Sequence, residues 1–494
     1  MKNKIILLII GGWLSSIELM GQGINNLWLM GYDCCSPPFA SMTLNFATGN
    51  LVIDTIHRYM NFNETNGEIS DKNGNLLFYT NGIYIADVTN DTMQNGSGLN
   101  PAYFTTSRYL YGLSIPQANL VIPFPDDSTK YYLFHETSDD AGHTYSSFYL
   151  YYSIIDMSLN GGLGSVIQKN TVLLNDSLVA GRIISCKHAN GRDWWVIVPQ
   201  FMTGIFHTFL ITPQGIQGPY QKNLLTHRDN YFGQALFSPQ GNKFAYYEPY
   251  GDLDIWDFDR CTGDFTNQVH IDINDSAAGG GAAFSPSGNY LYLSSHNYVY
   301  QFNTQVSNID SSRITVGVYD GFTSYGLSAN FYLSALAPDG KIYINCGNST
   351  TVIHKIEYPD SAGVACGFCQ HCVLLPGANA FTMPNHPNYF LGAEGGTVCD
   401  SLLTSVTSII QPKKKYSLYP NPTTGLFTLS YQGLSPALYK LTDFTGRLCL
   451  TSKLDPQSVS FSGSISALEN GIYYYQVLDT YGNVETAGKL ILEK

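Results

Sequence analysis

Short runs in which apolar and polar residues alternate recur along the middle of the chain, and each follows a tight turn rich in Gly, Asn and Asp. Alternation with a period of two is typical of strands with one buried face, and Gly and Asn tolerate the positive φ of tight hairpin turns. The pattern therefore predicts a series of antiparallel hairpins. The units are SDKNGNLLFYTN (70–81), FPDDSTKYYLFHE (124–136), KHANGRDWWVIVPQ (187–200), FSPQGNKFAYYE (237–248), FSPSGNYLYLSS (284–295) and LAPDGKIYIN (336–345).

A further alternating strand follows each unit. The turn glycines from Gly74 to Gly340 recur on average about every 53 residues. A period in this range, with four short strands per unit, indicates a β-propeller. The region 22–395 would hold about seven such units, so we predict an all-β fold with a seven-bladed propeller, and six blades are the alternative. The further strands lie at 83–88, 147–156, 205–211, 252–259, 298–303 and 351–358.

The motif FSPxGxYLY at 284–292 resembles the WD-repeat-like repeats of propellers in secreted bacterial proteins, and this resemblance covers about 60–390. At the start of the region, NNLWLMG (25–31) has the pattern of a second blade strand without its first. Near the end, FTMPNHPNYFLG (381–392) has the pattern of a lone innermost strand. We expect 381–392 to pair beside 25–31 and to close the ring, which would protect the sheet edges.

The last part of the chain has a different pattern. A Ser- and Thr-rich linker is predicted at 396–415, and short alternating runs separated by NP, TG and NG turns predict a small Ig-like β-sandwich at 416–494. YPNPTTGLFTL, then L-x-D-x-x-G, GIYYYQV and a terminal strand ending in Lys closely resemble the type A sorting domain of the type IX secretion system. An unrelated Ig-like carbohydrate-binding module is the alternative. The residues that carry the sorting motif are Tyr419, Pro420, Asn421, Pro422 and Gly425.

This resemblance implies handling by the type IX secretion machinery, passage through the periplasm, and release or attachment at the outer surface. The N-terminus agrees, because Lys2 and Lys4 precede an apolar run at 5–14 that is too short for a bilayer span. We predict a signal peptide over 1–21, with an anchoring helix as the alternative. No other apolar stretch approaches 18 residues, so we expect no transmembrane segment in the mature chain.

The composition of the chain restricts the class of partner that the protein can bind. The formal net charge is −13 and only 13% of residues are charged. A nucleic-acid binder would need a basic face to replace counterions, so we expect no nucleic-acid partner. Disordered chains contain few aromatic residues, so the 36 tyrosines indicate a folded chain. We expect them on the strands and loops of an exported protein.

Ten cysteines in an exported chain favour disulfides. Three of them form C-x-x-C-x-x-C, which is also a possible metal motif with Cys399 as a fourth ligand. We predict disulfides and neither metal nor cofactor. One bridge would join the 366–372 loop to Cys399, and another would join Cys186 to Cys261. The disulfide candidates are Cys186, Cys261, Cys366, Cys369, Cys372 and Cys399.

Two other polar clusters have both a functional and a structural interpretation. In KHANGRDWW (187–195), His188, Arg192 and Asp193 could line a site, but Asn190-Gly191 is also a blade turn, and we favour the structural interpretation. In DLDIWDFD (252–259) the alternating Asp residues lack the spacing of a calcium loop. A half-exposed strand edge is therefore expected there.

Loops that connect blades, and those between second and third strands, meet at one mouth of a propeller channel. We predict a ligand site at this mouth, because aromatic rings with Asp, Asn and Arg suit sugars or peptides. Ordinary loop chemistry is the alternative, since Tyr is abundant throughout. The candidates are Tyr111, Glu136, Asp139, Asp140, His143, Arg182, Asp229, Asn230, Tyr231, Tyr325 and Phe331.

The chain contains no G-x-S-x-G, H-E-x-x-H, P-loop or dinucleotide motif, and we predict no catalytic residue. The predicted function is an exported surface or secreted propeller that binds protein or glycan. A hydrolase or lyase acting on polysaccharide or peptide at the mouth is the alternative, so whether the protein is an enzyme stays open. A structural role in a surface layer is a third possibility.

Overall fold

The computed structural model describes residues 23–32, 38–139, 146–224, 233–400, 416–431, 437–455, 457–480 and 484–494. The chain divides into two compact units, Met1–Leu403 and Thr404–Lys494. Antiparallel strands dominate both units, which confirms the predicted all-β class. The predicted signal peptide at 1–21 lies outside the described residues. Within the described part, no helix has the length and apolar character to cross a membrane.

Among the described residues, the first unit holds seven sheets of three or four strands and one two-stranded ribbon. In each sheet the strands follow their order in the chain. The first four sheets consist of β1 (Leu27–Gly31), β2 (Ser41–Asn45) and β3 (Val52–Thr55); β4 (Gly67–Ser70), β5 (Leu76–Thr80) and β6 (Ile85–Asp87); β7 (Asn119–Phe124), β8 (Asp127–His135), β9 (Ser146–Asp156) and β10 (Ser165–Val179); and β11 (Ile184–Lys187), β12 (Trp194–Pro199), β13 (Ile205–Thr212) and β14 (Gly215–Asn223).

The remaining strands of this unit complete three more sheets and the ribbon. Where the structure describes this unit, its helical segments are α1 (Tyr103–Ser107) and 3-10 turns at Gly23–Asn25, Asn160–Gly162, Asp310–Ser312 and Gly363–Cys366. The strands are β15 (Gln234–Phe237), β16 (Lys243–Glu248), β17 (Asp252–Asp259) and β18 (Asp264–Ile271); β19 (Gly280–Phe284), β20 (Tyr290–Ser295), β21 (Tyr298–Asn303) and β22 (Ile314–Val318); the ribbon β23 (Thr323–Ser324) and β24 (Leu327–Ser328); and β25 (Phe331–Leu336), β26 (Ile342–Cys346), β27 (Ser349–Ile356) and β28 (Phe368–Ala380).

Successive sheets contact one another in a cyclic order. Strand β1 contacts β4, and the first strands β4 and β7, β11 and β15, β15 and β19, and β19 and β25 are neighbours. Strand β10 contacts β12. The outer strand β28 of the last sheet contacts β1 and β3 of the first. Sheets that follow one another in a ring around a central channel have the arrangement of a β-propeller.

The predicted turns are present, and two of their glycines also make room for a distant part of the chain. Gly191 and Gly241 have φ values of 73° and 72°, which L side chains rarely adopt. A Cβ at Gly191 would lie 2.5 Å from the nitrogen of Ala393, and one at Gly241 would lie 2.7 Å from a methyl carbon of Leu391. These turns therefore need glycine for two reasons. The backbone has a positive φ, and residues 391 and 393 pack too closely to leave room for a side chain.

The first sheet confirms one part of the predicted ring closure and corrects the other. Gly23 donates its N–H to the carbonyl of Lys72, so β1 begins beside the turn from which the second strand β5 also begins. The direction of β1 is thus that of a second strand, as predicted. The expected pairing of 381–392 with 25–31 is wrong, because β1 pairs only with β2 within the described residues and 381–392 forms no strand. Pro384 and Pro387 lack the N–H that a strand ladder requires.

Residues 381–392, which we call the central segment, instead run through the channel. Side-chain amides and a phenol hold them there in place of a ladder. Asn385 Nδ2 donates to the carbonyls of Asn119 and Ile183 at 3.0 and 2.7 Å. The Tyr389 hydroxyl donates to the carbonyl of Val121 at 2.8 Å, and its ring meets Trp194 edge to face. The last residues before the linker thus bind the third and fourth sheets from inside.

The second unit consists of two small antiparallel sheets. Phe427, Leu429, Tyr439, Leu441 and Val477 are buried together in its core. The described strands are β29 (Ser417–Tyr419), β30 (Leu426–Ser430) and β33 (Ser460–Ser464) in one sheet, and β31 (Leu438–Thr442), β32 (Leu448–Lys453), β34 (Gly471–Leu478) and β35 (Val484–Leu492) in the other.

Among the described cysteines, one disulfide is present, between Cys261 and Cys399. It joins the turn after β17 to the residues that follow the central segment. The two bridges we expected, from Cys186 to Cys261 and from the 366–372 loop to Cys399, are therefore wrong. The Cys186 side chain is buried beside Gly241 rather than beside Cys261, and burial raises its pKa to about 12. Such a thiol behaves as a small apolar core residue.

Candidate functional site: the channel cavity

A cavity of about 590 Å³ lies in the channel between the first strands of the sheets and the central segment. Its volume falls within the range of about 300–1,000 Å³ that is usual for small-molecule sites. It reaches from the level of Gln117 and Gln234 to the strand ends at Lys187 and Pro239, and so opens toward the turns between first and second strands. Much of its wall is apolar, formed by Leu236, Phe237, Phe284, Ala335 and Leu336.

Four of the residues that line this cavity each carry a buried polar atom with no hydrogen-bond partner among the described residues. These atoms are Asn25 Oδ1, Trp28 Nε1, Ser185 Oγ and His386 Nδ1. Buried polar groups are nearly always hydrogen-bonded, so each exception requires an explanation. Here the four exceptions belong to residues that line the same cavity.

The chemistry of these atoms is complementary to hydroxyl groups. The indole N–H of Trp28 is a donor, the amide oxygen of Asn25 is an acceptor, and the hydroxyl of Ser185 is both. His386 Nε2 contacts the carbonyl of Glu68 at 3.1 Å, so Nε2 carries the proton and Nδ1 is an acceptor. Burial lowers the pKa of His386 to about 4, which keeps the ring neutral at pH 7.

Two glutamines close the other side of the cavity. Their side-chain amides form hydrogen bonds with the backbone of a strand in another sheet. The Gln117 side chain accepts from the N–H of Ala235 and donates to its carbonyl, at 2.9 and 2.8 Å. The Gln234 side chain makes the same pair of contacts with Ser334, at 3.1 and 2.8 Å. Both amides are fully engaged in joining sheets across the channel. They therefore delimit the cavity rather than bind within it.

Beyond the glutamines, a cluster of buried charged groups lies at the opposite end of the channel. Glu64 accepts a hydrogen bond from the Tyr332 hydroxyl at 2.9 Å, and Glu136 accepts from the N–H of Gly181. Burial raises the pKa of Glu64 to about 7, although the bond from Tyr332 and the charge of Arg182 oppose it. Burial also raises the pKa of Glu136 well above its usual range. Glu64 and Arg182 both have positive φ values, 62° and 67°, so strained backbone directs both side chains into this end of the channel.

The raised pKa of Glu64 predicts a pH-dependent stability. The folded chain binds a proton at Glu64 that the unfolded chain releases at about pH 4.5, so the free energy of unfolding falls as the pH rises from about 4.5 to about 7. Glu64→Gln stays neutral and still accepts from Tyr332, so this part of the fall should disappear. Urea unfolding at a series of pH values measures it, with the exposed Glu394→Gln as the control. A pH profile identical to that of the unsubstituted protein would contradict the assignment.

The predicted mouth residues have several different environments. Glu136 and Arg182 lie together in the buried charged cluster, and Asp139 is close enough to influence Glu136. Tyr111 and Tyr325 are exposed, whereas Phe331 is fully buried against His354 and Phe368. The described candidates do not line the cavity, so the mouth site stays a prediction. The candidates outside the described residues are Asp140, His143, Asp229, Asn230 and Tyr231.

The polar cluster at 187–195 stabilises a turn. Asn190 Nδ2 donates to Asp193 at 2.8 Å, Arg192 pairs with the same carboxylate at 2.7 Å, and His188 Nε2 contacts the carbonyl of Cys261. Trp194 and Trp195 are both buried in β12. These contacts account for the cluster through local structure, as we favoured.

The Asp-rich run at 252–259 is strand β17. The expected half-exposed edge is wrong, because β17 lies between β16 and β18 and most of its residues are buried. Among the described residues, Asp252, His270 and Asp272 form the group that could hold a metal ion. His270 Nδ1 also lies 3.0 Å from Asp254 Oδ1, so polar contacts of the imidazole with the neighbouring carboxylates account for the arrangement.

The comparison with protein families identifies the end of the chain. Residues 417–493 match the model described as the secretion system C-terminal sorting domain. This confirms the resemblance found in the YPNPTTG region. The protein is therefore an exported one, directed to the cell surface or secreted by the type IX route.

No curated protein matches the sequence, and the similar solved structures are distant. The proposed 6-phosphogluconolactonase of Bacteroides fragilis is 12% identical, with 72% of this chain and 96% of that one covered and a TM-score of 0.41. PorZ, a surface component of the type-IX secretion system of Porphyromonas gingivalis, is 11% identical, with 95% and 58% covered and a TM-score of 0.32. The Dos1 propeller is 15% identical, with 65% and 75% covered and a TM-score of 0.33. At these TM-scores none of them supports a function for this chain.

Sequence reasoning missed the residues that form the cavity. Asn25, Trp28 and His386 lie in segments whose strand pattern was noted, but nothing local indicates that they face one space. Ser185 carries no distinguishing signal. A pattern that could have raised interest is the pair of prolines around His386, which is unusual for a strand.

Proposed function

We propose that the first unit is a seven-bladed propeller that binds a small polyhydroxylated ligand, such as one or two sugar units of a glycan, in the channel cavity. The observation that carries this proposal is that four residues lining one partly apolar cavity each have a buried polar atom without a hydrogen-bond partner. The second unit would be an Ig-like sandwich that directs export. Binding, rather than catalysis, would be the role at the surface.

The donor and acceptor pattern supports a sugar over other small ligands. Each sugar hydroxyl both donates and accepts, so it can satisfy an indole N–H, an amide oxygen or a serine hydroxyl in turn. The C–H face of a sugar ring suits the apolar wall formed by residues such as Phe237 and Leu336. An anionic ligand is less well matched, because Lys187, the charged side chain at the cavity, already donates to the carbonyl of Gly191 at 3.0 Å.

The hydrolase alternative would need two carboxyl groups beside the substrate. The described lining of the cavity offers amides, hydroxyls, an imidazole and aromatic rings, and it includes neither Asp nor Glu. Glu64 and Glu136 lie at the other end of the channel, where both are buried. These placements favour binding.

A glycan array, followed by calorimetric titration of the sugars that bind, tests the proposal with the full mature chain. Ser185→Ala should weaken binding about 5- to 10-fold, as expected for one lost hydrogen bond, and should leave stability unchanged because Ser185 Oγ has no protein partner. Ala335→Trp, which fills the cavity, should abolish binding. The exposed Ser97→Ala is the matched control.

Two results would overturn the proposal. One is binding that survives Ala335→Trp unchanged, which would move the site elsewhere on the surface. The other is a blank array together with ordered water on all four polar atoms in an experimental structure, which would make the cavity a hydrated channel.

A further inference from the structure

We propose that Cys369 and Cys372 form a further, solvent-accessible disulfide, which is made when the protein enters the oxidising cell envelope and which fixes the loop that carries the β23–β24 ribbon. The inference rests on the backbone of β28 and is independent of the cavity. It concerns the C-x-x-C part of the cysteine motif that the Cys261–Cys399 bridge leaves unused.

In a regular strand, residues three apart point to opposite faces, so a C-x-x-C on a strand could not close. Strand β28 is irregular at this point. Cys369 lies opposite Lys355 and Val373 lies opposite Ile353, so three residues of β28 face the single residue His354. A bulge of this kind re-aims side chains, and His371 within it has a φ of 40°.

The bulge brings the Cys372 side chain back to Cys369. Cys372 Sγ lies 3.4 Å from the carbonyl oxygen of Cys369. Cys372 is exposed and Cys369 is half-buried, so an external oxidant can reach the pair. Cys366, by contrast, is fully buried in the core beneath Tyr292.

The oxidant is a protein disulfide of the thiol-oxidase class found in cell envelopes. The thiolate of Cys372 attacks one sulfur of that disulfide, which forms a mixed disulfide and releases one thiol. The thiolate of Cys369 then attacks the Cys372 sulfur and releases the second thiol. The pair loses two protons and two electrons, and the oxidant takes them up as a dithiol.

The bulge also holds a neighbouring loop. Gln370 Nε2 donates to the carbonyl of Val318 at 2.8 Å, His371 Nε2 pairs with Asp320 at 3.0 Å, and the His371 ring stacks on Phe322 at 4.1 Å. These contacts lie between the two cysteines in sequence. A bridge across them therefore restricts the loop at 319–328 through a short covalent ring.

Peptide mapping of the full chain, purified from the medium or envelope of an exporting host, tests the bridge. The denatured protein is alkylated without reduction and digested with chymotrypsin, which cuts after Phe368 and separates Cys366 from the pair. We expect the Cys369–Cys372 peptide to carry no alkyl group and to be two hydrogens lighter than the dithiol, while Cys186 and Cys346 are alkylated. Full alkylation of both residues, or a bridge from either to Cys366, would overturn the proposal.

Two variants add a second readout. In Cys372→Ser, Cys369 should become alkylated, whereas Cys186→Ser should leave the pair bridged. Mild reduction should speed amide hydrogen exchange at 319–328 in the unsubstituted protein and leave it unchanged in the Cys369→Ser/Cys372→Ser double variant, which keeps the Cys261–Cys399 bridge. Equally faster exchange in both proteins would assign the effect to the Cys261–Cys399 bridge and would refute the proposal that the Cys369–Cys372 bridge restricts the loop.

Discussion

A chain that lacks residues 416–494 is expected to remain in the periplasm, with its surface and culture-medium signal lost. The sorting domain is a compact unit with its own buried core, so its removal leaves the strands of the first unit and the central segment intact. The missing step is recognition by the exporter. Protease accessibility on intact cells and immunoblots of the culture medium measure the change.

The control for this deletion is a single substitution that leaves the sorting domain folded. Exposed Val459 can be replaced by Thr with little effect on stability, and export should continue. Surface display of the deleted chain at the normal level would show that another segment directs export.

The second large effect is expected for Tyr389→Ala, which should destabilise the first unit by about 3–5 kcal/mol, the usual cost of removing a buried aromatic side chain. Tyr389 is 4% exposed, its hydroxyl donates to Val121 and its ring packs on Trp194. It therefore holds the central segment to the third and fourth sheets. Urea unfolding followed by tryptophan fluorescence measures the loss directly, because Trp194 is the contact partner.

Two tyrosine variants separate packing from hydrogen bonding. Tyr389→Phe keeps the ring and should cost about 0.5–1.5 kcal/mol for the lost bond. Tyr325→Ala, at a side chain that is 73% exposed, should change the free energy of unfolding by no more than about 0.5 kcal/mol. If Tyr389→Ala behaved like Tyr325→Ala, the central segment would not support the ring.

The hairpins were predictable because their signals are local. A turn such as Ser238–Asn242 needs a positive φ at one position, and the strand after it needs alternation, so both appear within about ten residues of sequence. The resemblance of the YPNPTTG region and the motifs after it to type IX sorting domains indicated the role of the second unit, which the family comparison confirmed.

The path of 381–392 could not be derived in this way. Its apolar pattern fits a strand, but its partners are carbonyls of Asn119, Val121 and Ile183, all about 200 residues or more away. Side-chain amides satisfy long-range acceptors without any periodic signal. The cavity has the same origin, since Asn25, Ser185 and His386 come from three distant segments. The cysteine pairing failed because it depends on which loops meet after folding.

The threaded position of the central segment has a consequence for the order of folding. Contacts that join residues so far apart in the chain form late, because they must overcome the entropy of closing long loops. The third and fourth sheets cannot acquire their inner partner until the chain has emerged past residue 392. Until residue 392 has emerged, the inner strands that line the channel would therefore stay exposed. Envelope chaperones that shield apolar surface would act on the chain during this period.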